Sequence, residues 1–214
     1  MTYKAFIFDL DGVITDTAHY HFLAWKRLAD RLGIPFDEHD NERLKGVSRM
    51  RSLELILEKS TKTYSPEQMH EMAERKNDDY KELIAEITSH DILPGVAEVF
   101  AWLKAKHYKI GLASASKNAA FVVERLGITR DFDYIADAAK IPNSKPAPDV
   151  FLDVAKAFNL PSSMCVGVED AAAGVQAIKA AGMFAVGIGD PAVLYEADLV
   201  FPSMAAFDSK KVAG

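Results

Sequence analysis

The sequence predicts an α/β protein: a parallel-sheet core with helices on both faces, and a small helical domain inserted after the first strand. Three observations carry this. From Leu93 onward, short apolar runs rich in β-branched and aromatic residues alternate with amphipathic segments of helical length. Strands alternating with helices at this spacing form a parallel sheet covered on both sides. Residues 18 to 88 break the alternation and carry helical periodicity alone. At 49% apolar and 26% charged, the 214 residues have the make-up of an ordinary folded chain, which sets aside disorder, collagen and coiled coil.

Taken in order, Tyr3 to Asp9 reads as a buried strand that ends in the turn Asp9-Leu10-Asp11-Gly12. His19 to Leu32 carries Phe22, Trp25, Leu28 and Leu32 at helical spacing, and Arg51 to Glu58 reads as a shorter helix. Ser65 is an N-cap, Pro66 a first helical residue, and Gln68 closes a capping box. That helix is expected to run through Met69, Met72, Tyr80, Leu83 and Ile87. The chain must cross to this insertion and return, so hinges are expected near Asp16-Thr17 and Ser89–Leu93. They divide a discontinuous core, residues 1–16 and 89–214, from a helical cap over the carboxyl edge of the sheet, residues 17–88.

Beyond the Leu93-Pro94-Gly95 turn, a helix is expected over Val96 to Lys106, a strand over Tyr108 to Ser114, and a helix over Asn118 to Leu126 closed by Gly127. A short strand follows at Asp133 to Ala136, then a helix from Pro148 to Phe158 and a strand from Met164 to Val168. Ala171 to Ala181 is a helix ended by Gly182, and Phe184–Ile188 and Leu199–Phe201 are the last strands. Parallel sheets bind ligands at the carboxyl ends of their strands, near a switch in strand order. Asp9, Ser114 and the pair Glu169-Asp170 lie at such ends.

A net charge of -6 with no basic block argues against a nucleic-acid partner. No apolar run approaches the ~18 residues of a membrane helix, and Met1 to Leu10 lacks the uncharged stretch of a signal peptide. Cys165 is the only cysteine, so no internal disulfide can form, and its apolar surroundings suit a small buried hydrophobe. A cytoplasmic protein is expected.

Four segments carry chemistry. In Asp9-Leu10-Asp11-Gly12-Val13 a strand ends in carboxylates one residue apart, and Gly12 lets the backbone turn away. One carboxylate can attack phosphorus while the other handles the proton; an acidic helix-capping turn is the bland alternative. Glu169-Asp170 brings further carboxylates to the same edge, an oxygen-rich set of the kind magnesium takes. Without a cation these groups would raise one another's pKa, although Asp170 could also simply cap the helix at Ala171. Lys145, in Ser144-Lys145-Pro146, could neutralise a transferring phosphoryl group or be a surface lysine. The run Ser114-Ala115-Ser116-Lys117-Asn118 joins a strand end to a helix start, and could bind an anion or serve only as a cap.

In chain order these read nucleophile, hydroxyl, lysine and acid pair, each after a strand, and the set resembles the haloacid dehalogenase superfamily of aspartate-based phosphotransferases. The resemblance spans the whole chain and implies a Rossmann-like core with a small helical cap. Leu44-Lys45-Gly46-Val47-Ser48-Arg49, His21 with Trp25-Lys26, the Ser114 to Asn118 run and Glu169-Asp170 resemble more closely the superfamily's β-phosphoglucomutase branch. That resemblance implies Asp9 as nucleophile and Asp11 as general acid/base, with Asp9, the Asp11 carbonyl, Glu169 and Asp170 holding Mg2+. It implies Ser114 and Lys145 on the reacting phosphate, and Arg49, Ser116, Lys117 and Asn118, with Ala115 in the same run, on the other phosphate. It also implies His21, Lys45, Gly46, Val47 and Ser48 beside the sugar, Lys76 approaching from the cap, and Thr17 at the hinge. Trp25 stands with the substrate side on this basis, though packing alone explains it, as it does His21 one helical turn away. Arg49, beside Met50 and Arg51, has a solvated loop charge as its alternative.

The implied activity is interconversion of β-D-glucose 1-phosphate and D-glucose 6-phosphate through phospho-Asp9 and a 1,6-bisphosphate. A sugar-phosphate phosphatase on the same scaffold is the alternative. A receiver-type module is disfavoured, since a switch gains nothing from Asp11 beside its phosphoacceptor, and a dehalogenase because the carboxylates suit a cation. The expected partners are the sugar phosphate and its bisphosphate, with no nucleic acid or membrane, and the expected unit is a monomer.

Overall fold

The computed structural model describes residues 3–213; residues 1, 2 and 214 of the expected core lie outside them. Strand β1 (Ala5–Phe8) is buried along its whole length. Phe6 and Phe8 face one apolar cluster, which includes Val99, Phe100 and Leu103 of α5 (Val96–Ala105). Ala5 and Ile7 face another, with Phe151 and Val154 of α7 (Asp149–Ala157) and Val175 and Ile178 of α8 (Ala172–Ala180). A strand covered on both sides must be apolar at every position, which is why its run is unbroken until Asp9.

β1 is central in a sheet ordered β3-β2-β1-β4-β5-β6, with β2 (Lys109–Leu112), β3 (Tyr134–Ile135), β4 (Cys165–Glu169), β5 (Phe184–Ile188) and β6 (Leu199–Phe201). Every pairing is parallel. The chain builds outward from β1 through β2 to β3, then crosses back to lay β4, β5 and β6 on the other side. Strand order therefore reverses at β1, and connections leave its two flanks in opposite directions, opening a crevice at the carboxyl ends. Register aligns Phe8 with Leu112 and Val168, so Asp9, Ala113 and Glu169 follow side by side.

The insertion holds α1 (Thr17–Leu32), α2 (Glu38–Glu42), α3 (Arg49–Leu57) and α4 (Pro66–Leu83). Trp25, Leu28, Phe36, Leu53 and Ala73 form an apolar cluster of its own. Arg31 of α1 grips Asp79 of α4 with both nitrogens, at 2.6 and 2.8 Å. The crossing strands lie side by side: Thr15 donates to the Asp91 carbonyl at 2.8 Å and the Leu93 amide to that of Ile14 at 2.8 Å. Among the described residues no helix is long and apolar enough to cross a membrane.

Several elements differ from expectation, among them α1, which opens at Thr17 rather than His19. Helix α2 has no apolar period to betray it; a capping box starts it, the Asp40 amide donating to Asp37 and the Asp37 amide to Asp40. Helix α4 opens on the expected Ser65/Gln68 box but stops at Leu83 rather than Ile87. The chain there tightens into i→i+3 turns, and Ile84 and Ile87 drop into the sheet's cluster, extending an apolar stripe without extending the helix. Helix α3 starts two residues earlier than expected, with Ser48 as N-cap, so Arg49 is helical rather than in a loop. A last short helix, α9 (Ser209–Ala213), was also not foreseen.

Gly167 of β4 faces α8, where a Cβ would lie 2.5 Å from Ile178 Cγ1. Gly167→Ala should overpack this layer and destabilise the protein by about 1–3 kcal/mol, read as a lower urea midpoint, with Ile178→Ala, which removes the γ carbons it would strike, restoring part of it. An unchanged midpoint would mean that α8 is not seated on β4 as described.

Candidate active site

The carboxyl edge of the sheet and the inner face of the insertion enclose a cavity of about 360 Å³, a size suited to a small metabolite. Asp9 enters it from the end of β1, its amide held by the Val168 carbonyl at 2.9 Å. Lys145 lies beneath it, fully buried, with Nζ 2.6 Å from Asp9 Oδ1 and 2.7 Å from Glu169 Oε2. Burial alone would lower the lysine's pKa, but the charges of Asp9 and Glu169 and their hydrogen bonds outweigh it and raise it. Lys145 is thus a fixed cation, not a surface lysine.

Asp9, Glu169 and Asp170 each offer an oxygen within 4.8 Å of the others. One ammonium against these carboxylates leaves negative charge in excess. Burial, then the repulsion of Asp9, pushes Glu169 up against the pull of Lys145, and burial with the charges of Glu169 and Asp9 pushes Asp170 well up. A divalent cation would remove that excess, so the donor set fits a metal ion, and its hard oxygens without sulfur or imidazole fit a hard one. Gly12 makes room for the acid pair: its φ is +77°, and a Cβ there would collide with the Asp170 carboxylate. Helix α8 takes its cap at Ala171 without any side-chain hydrogen bond, so Asp170 does not serve as its cap.

Asp11 is turned toward the insertion, where Thr17 donates its hydroxyl to Oδ1. Burial and the charge of Asp9 raise its pKa to about 6, opposed by Thr17, Lys145 and Lys76. Thr17 is fully buried and stands behind the cavity rather than in its lining, as does Glu169. His21 reaches the cavity stacked on Tyr80, with ring centroids 4.0 Å apart, rather than on Trp25. Its Nδ1 is 2.8 Å from Lys76 Nζ and its Nε2 3.9 Å from Asp11. While Lys76 carries its full charge it can only donate, so Nδ1 then accepts and the ring proton sits on Nε2. Burial and the cations Lys76 and Arg49 hold the His21 pKa well below normal, keeping it neutral. Lys76 is buried with Nζ 4.5 Å from the centroid of the Trp25 ring, and burial with Arg49 brings its pKa down to about 7.

The insertion's loop closes on the core at Gly46, whose missing Cβ would touch Ala171 and Lys145, and Lys45, Val47, Ser48 and Arg49 line the same wall. Ser48 also accepts from the Arg51 amide as cap of α3. Across from it lies the turn from Ser114 to Asn118. Ser114 accepts from the Ser116 amide at 3.1 Å and Ser116 from the Asn118 amide at 3.2 Å, turns that order the segment before α6 (Ala119–Arg125). Asn118 does not cap α6; its Nδ2 reaches over to Asn77 at 2.9 Å. Asn77, Glu74 and Ser52 in the lining were not singled out from the sequence. Lys76 and Asn77 fall three and four residues beyond buried Ala73, so polar residues on a buried helical face were the signal available.

A family model described as haloacid dehalogenase-like hydrolase matches residues 3–182. The chain is 50% identical to a β-phosphoglucomutase of Bacillus subtilis, over 92% of this chain and 88% of that one. A fructose-1-phosphate phosphatase of Escherichia coli is 32% identical over 87% of this chain and 96% of its own. Among solved structures, the crystal structure of β-phosphoglucomutase from Clostridium difficile superposes with a TM-score of 0.94 at 50% identity, covering 98% of this chain and 95% of that one.

The buried Lys76 has a consequence for stability. Below pH 7 folded and unfolded chains both carry its proton and the folded state bears the full penalty of a buried charge. Between pH 7 and about 10.4 only the unfolded chain keeps the proton, so the penalty is relieved as pH rises. Lys76→Met should therefore raise the melting temperature most at pH 6, with a gap that narrows by pH 9.5. A gap independent of pH would contradict the burial of this ammonium.

Proposed function

The chain belongs to the haloacid dehalogenase-like hydrolase family, on its β-phosphoglucomutase branch, and from that premise we propose that it interconverts β-D-glucose 1-phosphate and D-glucose 6-phosphate. The reaction runs through an aspartyl-phosphate enzyme and β-glucose 1,6-bisphosphate. One observation supports this reading beyond the family: a single cavity is lined both by Ser114 and Lys145 beside Asp9 and by Arg49 with the turn Ser116-Lys117-Asn118, which we read as one phosphate site each. A phosphatase needs one such set, whereas a phosphomutase must hold a bisphosphate by both ends and accept it in either orientation.

Asp9 attacks the phosphoryl group, and Lys145, unable to lose its proton, screens the incoming charge. Asp11 protonates the leaving oxygen and takes the proton back on the return, for which a pKa near 6 is well placed. It is held by Thr17, the first residue of α1, so movement of the helical insertion as a cap would move Asp11 with it. Neutral His21, Lys76, Lys45 and the wall from Gly46 to Ser48 orient the sugar. Asp9, the Asp11 carbonyl, Glu169 and Asp170 would hold Mg2+, which when bound offsets the carboxylate charge and that of the transferring phosphoryl group. The lone, buried Cys165 is in keeping with a cytoplasmic enzyme, and a cavity completed by one chain with a monomer.

Primed with β-glucose 1,6-bisphosphate, the protein should convert β-glucose 1-phosphate to glucose 6-phosphate far faster than it releases inorganic phosphate, and Asp9→Asn should abolish both. Phosphate release equal to isomerisation would replace the mutase reading with a sugar-phosphate phosphatase.

Turnover should cease in excess EDTA and return with Mg2+, and Asp170→Ala should raise the Mg2+ concentration needed for half-maximal rate. Full turnover in EDTA would sink the metal assignment.

A further inference from the structure

Asn77 is buried on the inward face of α4, at 4% exposure, and the steps above leave it without a role. Its side-chain oxygen accepts two hydrogen bonds, from Arg49 Nη2 at 2.8 Å and from Asn118 Nδ2 at 2.9 Å. A carbonyl oxygen has two lone pairs, so its capacity is filled. The donors come from different parts of the fold: Arg49 opens α3 in the insertion, and Asn118 sits at the head of α6 on the sheet side. The other arm of Arg49 meets Glu74 Oε1 at 2.6 Å, one turn back along α4. The guanidinium fork is thus met by two oxygens from one helix, the pattern that a phosphate presents to arginine.

We propose that Asn77 is a positioning residue that mimics a phosphate oxygen: it latches the helical insertion onto the core and keeps Arg49 and Asn118 aimed at one point until a phosphate takes its place. This rests on the reading of Arg49 and Asn118 as the second phosphate's site. The neutrality of the amide is what makes the latch release. A phosphate dianion offers arginine full charge attraction and two parallel hydrogen bonds, where the neutral amide oxygen offers one ion–dipole bond, so a phosphate dianion displaces Asn77 readily. A carboxylate at the same place would hold Arg49 harder and repel the phosphate. Glu74 does not block the site in this way, because its side chain is 52% exposed and its pair with Arg49 is weakened by water. A phosphoryl donor without a second phosphate has nothing to displace the latch with, so Asn77 also favours substrates with two charged ends.

The test compares Asn77→Ala and Asn77→Asp with wild type by hydrogen–deuterium exchange without ligand, by KM and kcat on β-glucose 1-phosphate, and by the rate at which acetyl phosphate phosphorylates Asp9. Asn77→Ala should speed exchange over residues 45–52 and 114–121 and raise KM, each by about tenfold, the worth of one such hydrogen bond, with kcat within about twofold. Asn77→Asp should leave exchange at or below wild type yet raise KM by a similar factor, about tenfold. Neither should move the acetyl phosphate reaction more than about twofold, since that donor has no second phosphate to grip. The latch is wrong if Asn77→Ala leaves exchange in both segments unchanged, or if Ala and Asp shift exchange in the same direction, as loss of mere packing would. Should Asn77→Ala fail to fold, faster exchange in Asn77→Asp would overturn the proposal and protected exchange with raised KM would uphold it. Arg49→Ala keeps the two readings apart: an unchanged KM there refutes the second phosphate site, while the exchange of the Asn77 variants still decides the latch.

Discussion

The arrangement of this protein depends on one buried ammonium. Lys145 joins the buried carboxylates of Asp9 and Glu169, with Asp170 close by. Removing such a cation would leave carboxylates buried and unpaired, a far greater penalty than any benefit of the pair itself. The surrounding structure accordingly fixes its position. Its Nζ lies over the Phe151 ring, 5.1 Å from the centroid. Glu169 is pinned by Lys145 and the Ala171 amide and packs against bare Gly174, where a Cβ would strike its carboxylate.

The sheet brings these groups together because its strand order turns at β1. Asp9 follows β1, Glu169 closes β4 beside it, and the Ser114 turn follows β2 on the other flank. The insertion then supplies what a sheet edge lacks, a second wall. Gly46 comes within van der Waals reach of Ala171 and Lys145, and Ala24, Tyr80 and Ile84 of the insertion pack into the sheet's own cluster. Asp11 and Thr17 form the mechanical link between the two, since the carboxylate belongs to the strand's turn and the hydroxyl to the first residue of α1.

Much of this could be read from the residues, and what could not has a physical cause. The apolar run of β1 and the abrupt Asp9 were legible because a doubly covered strand tolerates no polar residue before its end. The Ser65 box was legible because capping is local. Helix α2 was not, since five polar residues held by a local box and by contacts made elsewhere have no period to detect. Resemblance brought Arg49, His21 and Lys76 to the site, but their partners follow from tertiary placement: His21 stacks on Tyr80, 59 positions away in the chain by number, and no helical spacing reveals that. Asn77 was missed for the same reason, its two donors lying 28 and 41 residues away.

The two sets of groups proposed to hold phosphate differ in kind, and that difference bears on how a bisphosphate could be turned around. Lys145 is locked: buried, doubly paired and unable to shed its proton. Such a group neutralises charge at a fixed point without reorganising, which is what a reacting phosphoryl group needs. Arg49 is held instead by a half-exposed carboxylate and a neutral amide, partners that a phosphate can replace and that can take the arginine back when it leaves. On the proposed reading, chemistry stays at the rigid set while recognition and release occur at the exchangeable one. An intermediate phosphorylated at both ends then finds its grip at Arg49 contested by Asn77 throughout, so the cavity can loosen from that side and the sugar can reorient while the carboxylate cluster at Asp9 stays in place.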